Sequence, residues 1–429
     1  MDIENGPGQS LPAVGRSARW GRGAISYFTE LRSNWRPLLA ATFGLGTGSA
    51  AYTLYTTGII APRMIAELGW TKAEFAALGM LSLVNSFLFP FAGRLADLVG
   101  VRRTVLLGII ALPFSFIAFS LMTGPVWQYI AIILVAGLLC ITTTTTVYSR
   151  VAVQHVKQAR GLALAIVASG PALAGAIAAP FINRLIEAEG WRSTYQVLAI
   201  SAVVAGTITI LLLPADSPPK VATAPKRCAR DDYPMIFRTP AFWLLVVAML
   251  TCNLPQIAIL SQLKMVLLEN GIAAKDTTVM LSALPIGMLA GRFIAGFALD
   301  RFPAHLVGFI SMSIPSVGMA LIATSFDAPA VLTFASFSLG FSVGAEGDVV
   351  AFVVARKFGV EIYSSVMGLM TMAISLSVAL GSALLSLVLH FTGHYDLFFE
   401  LGSVSTFIGG TLFLFIANPK VPTAEARLS

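Results

Sequence analysis

Apolar residues in this chain are gathered into twelve long runs, at roughly 38–62, 75–95, 103–123, 126–148, 161–184, 193–213, 241–263, 277–299, 304–325, 329–355, 363–390 and 397–416. Each is about the 20 residues that a helix needs to cross ~30 Å of hydrocarbon. A backbone in lipid must satisfy its own polar groups, so uncharged runs of this length fold as membrane-spanning helices. The expectation is an all-α membrane protein with twelve transmembrane helices. Composition agrees: 11% of residues are charged, about half the share of a soluble domain.

Lys and Arg set the orientation. With both termini inside, the inner connections and tails hold 21 of the 28 basic residues, among them Arg94, Arg150, Arg160, Arg356 and Lys357. The positive-inside rule is met, and the net charge of +7 needs neither nucleic acid nor an acidic partner. Residues 1–37 are polar and too irregular for a cleaved leader. They read as a flexible cytoplasmic tail on a multi-pass plasma-membrane protein, in a bacterium the inner membrane.

The polar stretch 214–240 contains DSPPK, APKR and RDDYP and reads as a cytoplasmic linker. It separates a bundle at 38–213 from one at 241–416, and 417–429 forms a cytoplasmic tail. Gly93-x-x-x-Asp97 recurs as Gly296-x-x-x-Asp300 and Gly190-Trp191 as Gly393-His394, both 203 residues on. Arg160-Gly161-Leu162 recurs as Met367-Gly368-Leu369 after 207 residues. A nearly constant offset predicts two pseudo-symmetric six-helix bundles with a site between them, an alternating-access transporter architecture.

GRLADLVGVRR at 93–103 resembles the loop motif of the major facilitator superfamily, with Gly93, Asp97, Gly100, Arg102 and Arg103 in place. GFALDR at 296–301 keeps Gly296, Asp300 and Arg301. The resemblance implies that these residues gate the inner face. YSRVAVQHVKQARGLALAIVASGPALAG, ELGWTKAEF, KFGVEIYSSVMGL and FTGHYDLFF are similar to the branch of monocarboxylate transporters and oxalate/formate antiporters. Three departures from that pattern matter, the last arguing against a dicarboxylate. GTGSAAYTLYTTG lacks its first-span acidic signature, Met288 replaces a span-eight aspartate, and span eleven has no lysine for a second carboxylate.

Arg292, which matches the family's span-eight arginine, is the one Lys or Arg deep inside a predicted span. Counting eight residues from Asp300 at 1.5 Å rise puts it about 12 Å from the inner boundary. Asp348 and Glu346, counted from Arg356, lie at about 12 and 15 Å. Charge at such depth is costly and marks function. Two residues apart on a helix is about 200° of rotation, so the two acids face different ways. Asp348 shares its face with Gly344 and Ala351 and is the nearer expected partner of Arg292; Glu346, on an aliphatic face, is the expected proton carrier.

A guanidinium binds a carboxylate bidentately and stays charged at any working pH. The predicted substrate is therefore a small monocarboxylate, moved with a proton. Tyr52, Tyr55 and Thr56 share a face of span one, and Asn253 and Gln256 one of span seven; these are the expected polar lining. The run TTTTT at 142–146 reads instead as hydroxyls returned to backbone carbonyls. Anion exchange, drug efflux and, in another class, a membrane sensor are the competing readings. The three cysteines and four histidines form no metal or catalytic spacing, so neither cofactor nor enzyme chemistry is expected. A monomer is expected.

Overall fold

The structure is a computed structural model and describes residues 26–70, 81–216, 229–256, 258–269, 272, 274–324 and 328–416; among these no strand occurs. Among the described residues, eight helical segments are long and apolar enough to cross a membrane, or nine if a pair bent by 72° at Thr239 counts as one. The first half comprises α1 (Trp35–Gly46), α2 (Ser49–Leu68), α3 (Leu81–Ser86), α4 (Phe89–Val99), α5 (Val101–Ser120), α6 (Val126–Cys140), α7 (Thr145–His155), α8 (Arg160–Ala168) and α9 (Gly170–Leu212). After α10 (Ala229–Arg238) come α11 (Pro240–Asn253), α12 (Leu263–Glu269), α13 (Ala274–Leu299), α14 (Ala304–Ile322), α15 (Pro329–Phe358), α16 (Tyr363–Thr392) and α17 (Asp396–Leu412).

Several predicted runs are broken helices. The run 38–62 interrupts between α1 and α2, where the Ser49 amide donates to Thr143 Oγ1 (3.0 Å) and the Ser49 hydroxyl to the Cys140 carbonyl (2.9 Å). Its partner run 126–148 breaks at the same level, Thr144 being extended. Thr142, Thr143 and Thr144 each donate to a carbonyl three residues back, as the TTTTT reading expected. The run 241–263 ends as an α-helix at Asn253 and resumes as a π-turn at Ala258–Gln262. Pro255 explains the break, because it has no N–H to give. Predicted spans at 161–184 and 193–213 meet at a break inside α9: Gly190 takes φ 79° and ψ 177°, outside the helical region, so α9 is two helices in succession. Residues 71–80, with the start of the run 75–95, lie outside the described residues.

Three hydrophobic clusters organise the interior. One combines residues of both halves, such as Tyr148, Val151 and Leu164 with Val349, Tyr363 and Met370. It lies at the end of the molecule bearing Arg94, Arg150, Arg160 and Arg356, here called the basic face. The second draws only on residues 52–202 and the third only on 258–399. Among the described residues, then, the halves share a core at the basic face and keep separate cores away from it.

Carboxylates at that face cap helices they do not belong to. Asp97 accepts the amides of Ser364 (3.1 Å) and Ser365 (2.7 Å), the second and third residues of α16, together with the Ser365 hydroxyl (2.6 Å). Arg150 pairs with the same carboxylate, both side chains being buried. Asp300 does the equivalent for α8: it accepts the amides of Gly161 (2.7 Å) and Leu162 (3.1 Å) and the Tyr27 hydroxyl (2.9 Å). Orphan amides in a first helical turn need such acceptors, and the helix dipole favours their negative charge. Asp216 caps α5 through the Arg102 and Arg103 amides, each at 3.0 Å. These contacts reproduce the 203-residue repeat in three dimensions.

Two expectations need correction here. Part of the supposed tail, 26–33, is helical, and Glu30 accepts the amides of Lys157 (2.9 Å), Gln158 (2.8 Å) and Ala159 (3.0 Å). The supposed linker contains α10, whose Asp232 pairs with Arg94 at 2.5 Å. Both segments are tied down because they carry acids that basic-face amides and arginines require. Residues 1–25, 217–228 and 417–429 lie outside the described residues.

The two predicted gate acids differ in one respect: Asp97 balances a buried cation, whereas the partners shown for Asp300 are two amides and a hydroxyl. Removing one member of a buried pair costs about 3–5 kcal/mol, and losing a cap about 0.5–2 kcal/mol. Asp97→Ala is expected to loosen the basic face more than Asp300→Ala. Reaction of cysteines placed at the α4–α16 and α8–α13 contacts with a membrane-impermeant thiol reagent, in vesicles exposing the basic face, measures this; equal reactivity would contradict it.

Candidate functional site

The candidate site is set by how closely α13 and α15 approach. Gly291 of α13 lies against the Phe341 carbonyl and Gly344 of α15 against the Met288 carbonyl, so tightly that a Cβ at either position would collide with backbone. That contact lays Arg292, one residue past Gly291, beside the turn that carries Asp348. Both helices run unbroken through this region, so the charged side chains stand on a rigid frame.

Arg292 is half-buried, while Glu346 and Asp348 are buried. The Arg292 guanidinium is the cation that acts electrostatically on Asp348. Even so, among the described residues no acid comes within 4.0 Å of it. The expected pairing is thus a proximity without a closed salt bridge. Tyr363 and Arg150, members of the gate cluster, also lie within electrostatic range of one another, and Tyr363 is within that of Asp348. Tyr363 donates to Ser149 Oγ across the two halves at 2.9 Å.

Glu346 points elsewhere. Gln256 donates to its Oε2 at 3.5 Å, while Asn253 donates to the Met249 carbonyl at 2.9 Å. Both amides belong to the segment interrupted at Pro255. A cavity of about 20 Å³ adjoins them, with Asn253, Gln256, Met312, Ser342 and Glu346 in its wall, which is enough for about one water. Reading only α15, the sequence put Glu346 on an aliphatic face; its polar neighbours come from span seven, which a single-helix face cannot reveal. One oxygen of each acid, Glu346 Oε1 and Asp348 Oδ2, has no hydrogen-bond partner. Buried carboxylate oxygens in that state are costly unless a proton, a water or a ligand answers them.

The remaining predicted residues separate from this group. Tyr52 is buried, shares a hydrogen bond with Ser201 Oγ (3.0 Å) and packs edge-on against Phe116. Thr56 returns its hydroxyl to the Tyr52 carbonyl at 2.7 Å. Both sit in the first half's own core and not beside Arg292. The side chain of Tyr55 lies outside the described residues. At the gate, Gly93 is pressed against the Ser364 carbonyl, and Gly100 has φ 94° and abuts the Asp216 carboxylate. Arg102 and Arg103 serve that contact through their backbone amides. The Arg301 guanidinium lies over the rings of Phe297 (3.3 Å) and Tyr27 (5.0 Å).

Sequence reasoning missed Arg150, Ser364, Ser365, Asp216 and Tyr27. One signal was available for the serines: small hydroxyl residues opening span eleven mark a helix N-terminus in need of caps. Nothing local marks Arg150 or Tyr27, whose partners are distant in sequence.

Comparison with known proteins places this geometry. A family model described as the Major Facilitator Superfamily matches residues 43–382. An uncharacterized 38 kDa protein encoded in the 23S RNA operon of Thermoproteus tenax is 24% identical over 347 residues, spanning 80% of this chain and 86% of that protein. The MFS transporter asaE of Aspergillus flavus is 24% identical over 350 residues, 79% of this chain and 76% of its own length. Among solved structures, FucP in the outward conformation superposes with a TM-score of 0.72 at 16% identity, covering 89% of this chain and 98% of that one. Human MFSD10 (TETRAN) superposes with a TM-score of 0.67 at 14% identity, covering 89% and 99%. Since the family match takes in the gate motif, the α13–α15 contact and most of both halves, the chain belongs to the Major Facilitator Superfamily and is a multi-pass membrane transporter, not an enzyme.

Proposed function

We propose that this transporter moves a small organic monocarboxylate together with a proton, by alternating access between two six-helix bundles of a twelve-helix fold. The observation that carries the reading is Arg292: a deep, half-buried guanidinium with no acid within 4.0 Å among the described residues, beside a buried aspartate with an unpartnered oxygen. Such a cation has donors to offer a carboxylate, and its planar fork fits one bidentately. While Arg292 is empty of substrate, its charge favours ionised Asp348. A bound anion cancels that charge, and Asp348 then takes up a proton because a buried carboxylate without a countercharge is unfavourable. Anion and proton thus enter together and the net charge of the site is unchanged.

Glu346, with Asn253 and Gln256 at the break in span seven, is the second acid available for proton exchange. Discontinuous helices are where transporters commonly place coupling-ion sites. Asp97, Arg150, Asp300 and the α16 and α8 termini act as the gate. The positive-inside rule makes the basic face cytoplasmic, with both termini there; the shared core at that face then corresponds to a state closed inward. Each solved neighbour supports one half of the reading: FucP is a fucose:proton symporter, whose cargo is a neutral sugar, and MFSD10 is an organic anion transporter. A monomer suffices for the scheme.

Arg292→Lys keeps the charge and loses the fork. Uptake of labelled monocarboxylates into proteoliposomes is expected to fall at least tenfold, about 1.4 kcal/mol of binding, and wild-type uptake by this variant would refute the anchor. Asp348→Asn is expected to abolish uptake driven by a pH gradient while leaving exchange of internal for external substrate intact. If Glu346→Gln uncouples transport and Asp348→Asn does not, the proton rides on Glu346. Gradient-driven uptake by wild type without internal substrate separates symport from obligatory anion exchange.

A further inference from the structure

The basic face carries a second concentration of charge, away from Arg292. Where α15 ends, Arg356 and Lys357 line a pocket with His305 and Ala304 of α14 and with Phe413 and Ile416 beyond α17. The wall contains two permanent cations and no acid. The Nδ1 atom of His305 is buried without a hydrogen-bond partner.

The repeat acid of the second half does not offset that charge. Arg150 of the first half is neutralised by Asp97. Asp300, which stands 203 residues on from Asp97, is occupied instead by the α8 amides and Tyr27, and among the described residues neither Arg356 nor Lys357 has an ion pair.

The surroundings of the pocket are apolar and exposed. Phe302, just before α14, and Leu306 and Ile310 on it are exposed, as are Leu414 and Phe415 between the lining residues Phe413 and Ile416. A water-soluble anion needs no such frame. A phosphate carried on acyl chains does, since its head would lie at the cations while its chains cover these residues. Basic pockets between spans near the headgroup level hold anionic lipid heads in this way.

We propose that the pocket between α14, α15 and the end of α17 is a binding site for an anionic phospholipid of the adjacent leaflet, held by Arg356 and Lys357 with His305 as a third polar contact. The site is separate from Arg292, and its test does not depend on which substrate is carried. The full-length protein, purified in detergent with phosphatidylglycerol and phosphatidylcholine in equal amounts, is weighed by native mass spectrometry. Wild type is expected to retain phosphatidylglycerol in preference. In the variant carrying R356Q and K357Q the preference is expected to fall roughly 30-fold, from about 1 kcal/mol for each basic residue. Melting in phosphatidylcholine alone identifies a variant that has lost its fold, in which case the single substitution K357Q, expected to lower the preference about fivefold, is read instead. Equal retention of the two lipids by wild type overturns the proposal. So does an unchanged preference in a folded variant, or displacement of the lipid by inorganic phosphate, which would mark a site for soluble anions.

Discussion

One buried carboxylate organises the basic face. Asp97 balances Arg150 within its own half and supplies the N-terminal acceptors that α16 cannot find in its own sequence. Without it a guanidinium and the first-turn amides of a 30-residue helix would be left without those acceptors at a dry interface. The close approach of α4 to α16, the Tyr363–Ser149 bond and the shared core all depend on that junction. Because the acceptor belongs to one half and the donors to the other, the contact can be made or broken as a unit.

Asp300 repeats the design with different chemistry. Its cap on α8 is the same, but a tyrosine hydroxyl stands where the first half has an arginine. Burial pushes the Asp300 carboxyl upward from its ordinary range, the capping amides opposing this. Two junctions of unequal strength give the face a stronger and a weaker side. Asp348 extends this asymmetry inward, since it lies within electrostatic range of both Arg292 and Tyr363. A change of charge at the candidate site is thereby felt by a residue that bridges the halves.

Much of this architecture was legible in the amino-acid order. Helical runs follow from apolar length, and the repeat of Gly93 and Asp97 as Gly296 and Asp300 foretold equivalent positions that prove to make equivalent contacts. The adjacency of Arg292 and Asp348 could be reached from depth alone, because rise per residue is fixed. What could not be read was anything requiring a partner from another helix. Glu346 looked aliphatic until span seven supplied Asn253 and Gln256. Tyr52 and Thr56 looked like lining because three polar residues shared a face, yet Tyr52 meets Phe116 and Ser201 and Thr56 returns its hydroxyl to its own helix. Arg102 and Arg103 stand out through a family motif, and their contact with Asp216, made by backbone amides, needs a partner 113 or more residues away.

The helical segment around Tyr27 and Glu30 has a consequence for the working cycle. Glu30 grips the loop before α8 in the first half, and Tyr27 reaches Asp300 in the second. Burial first, then the neighbouring Asp300, holds the Tyr27 hydroxyl well above its ordinary pKa, so it remains a donor throughout the physiological range. The segment is thus a clasp laid across the seam, which under the proposed alternating access would have to unfasten whenever the seam parts. Turnover would then be tuned from the amino-terminal end of the chain, by whatever holds or frees that clasp, without any change in the cavity where cargo sits.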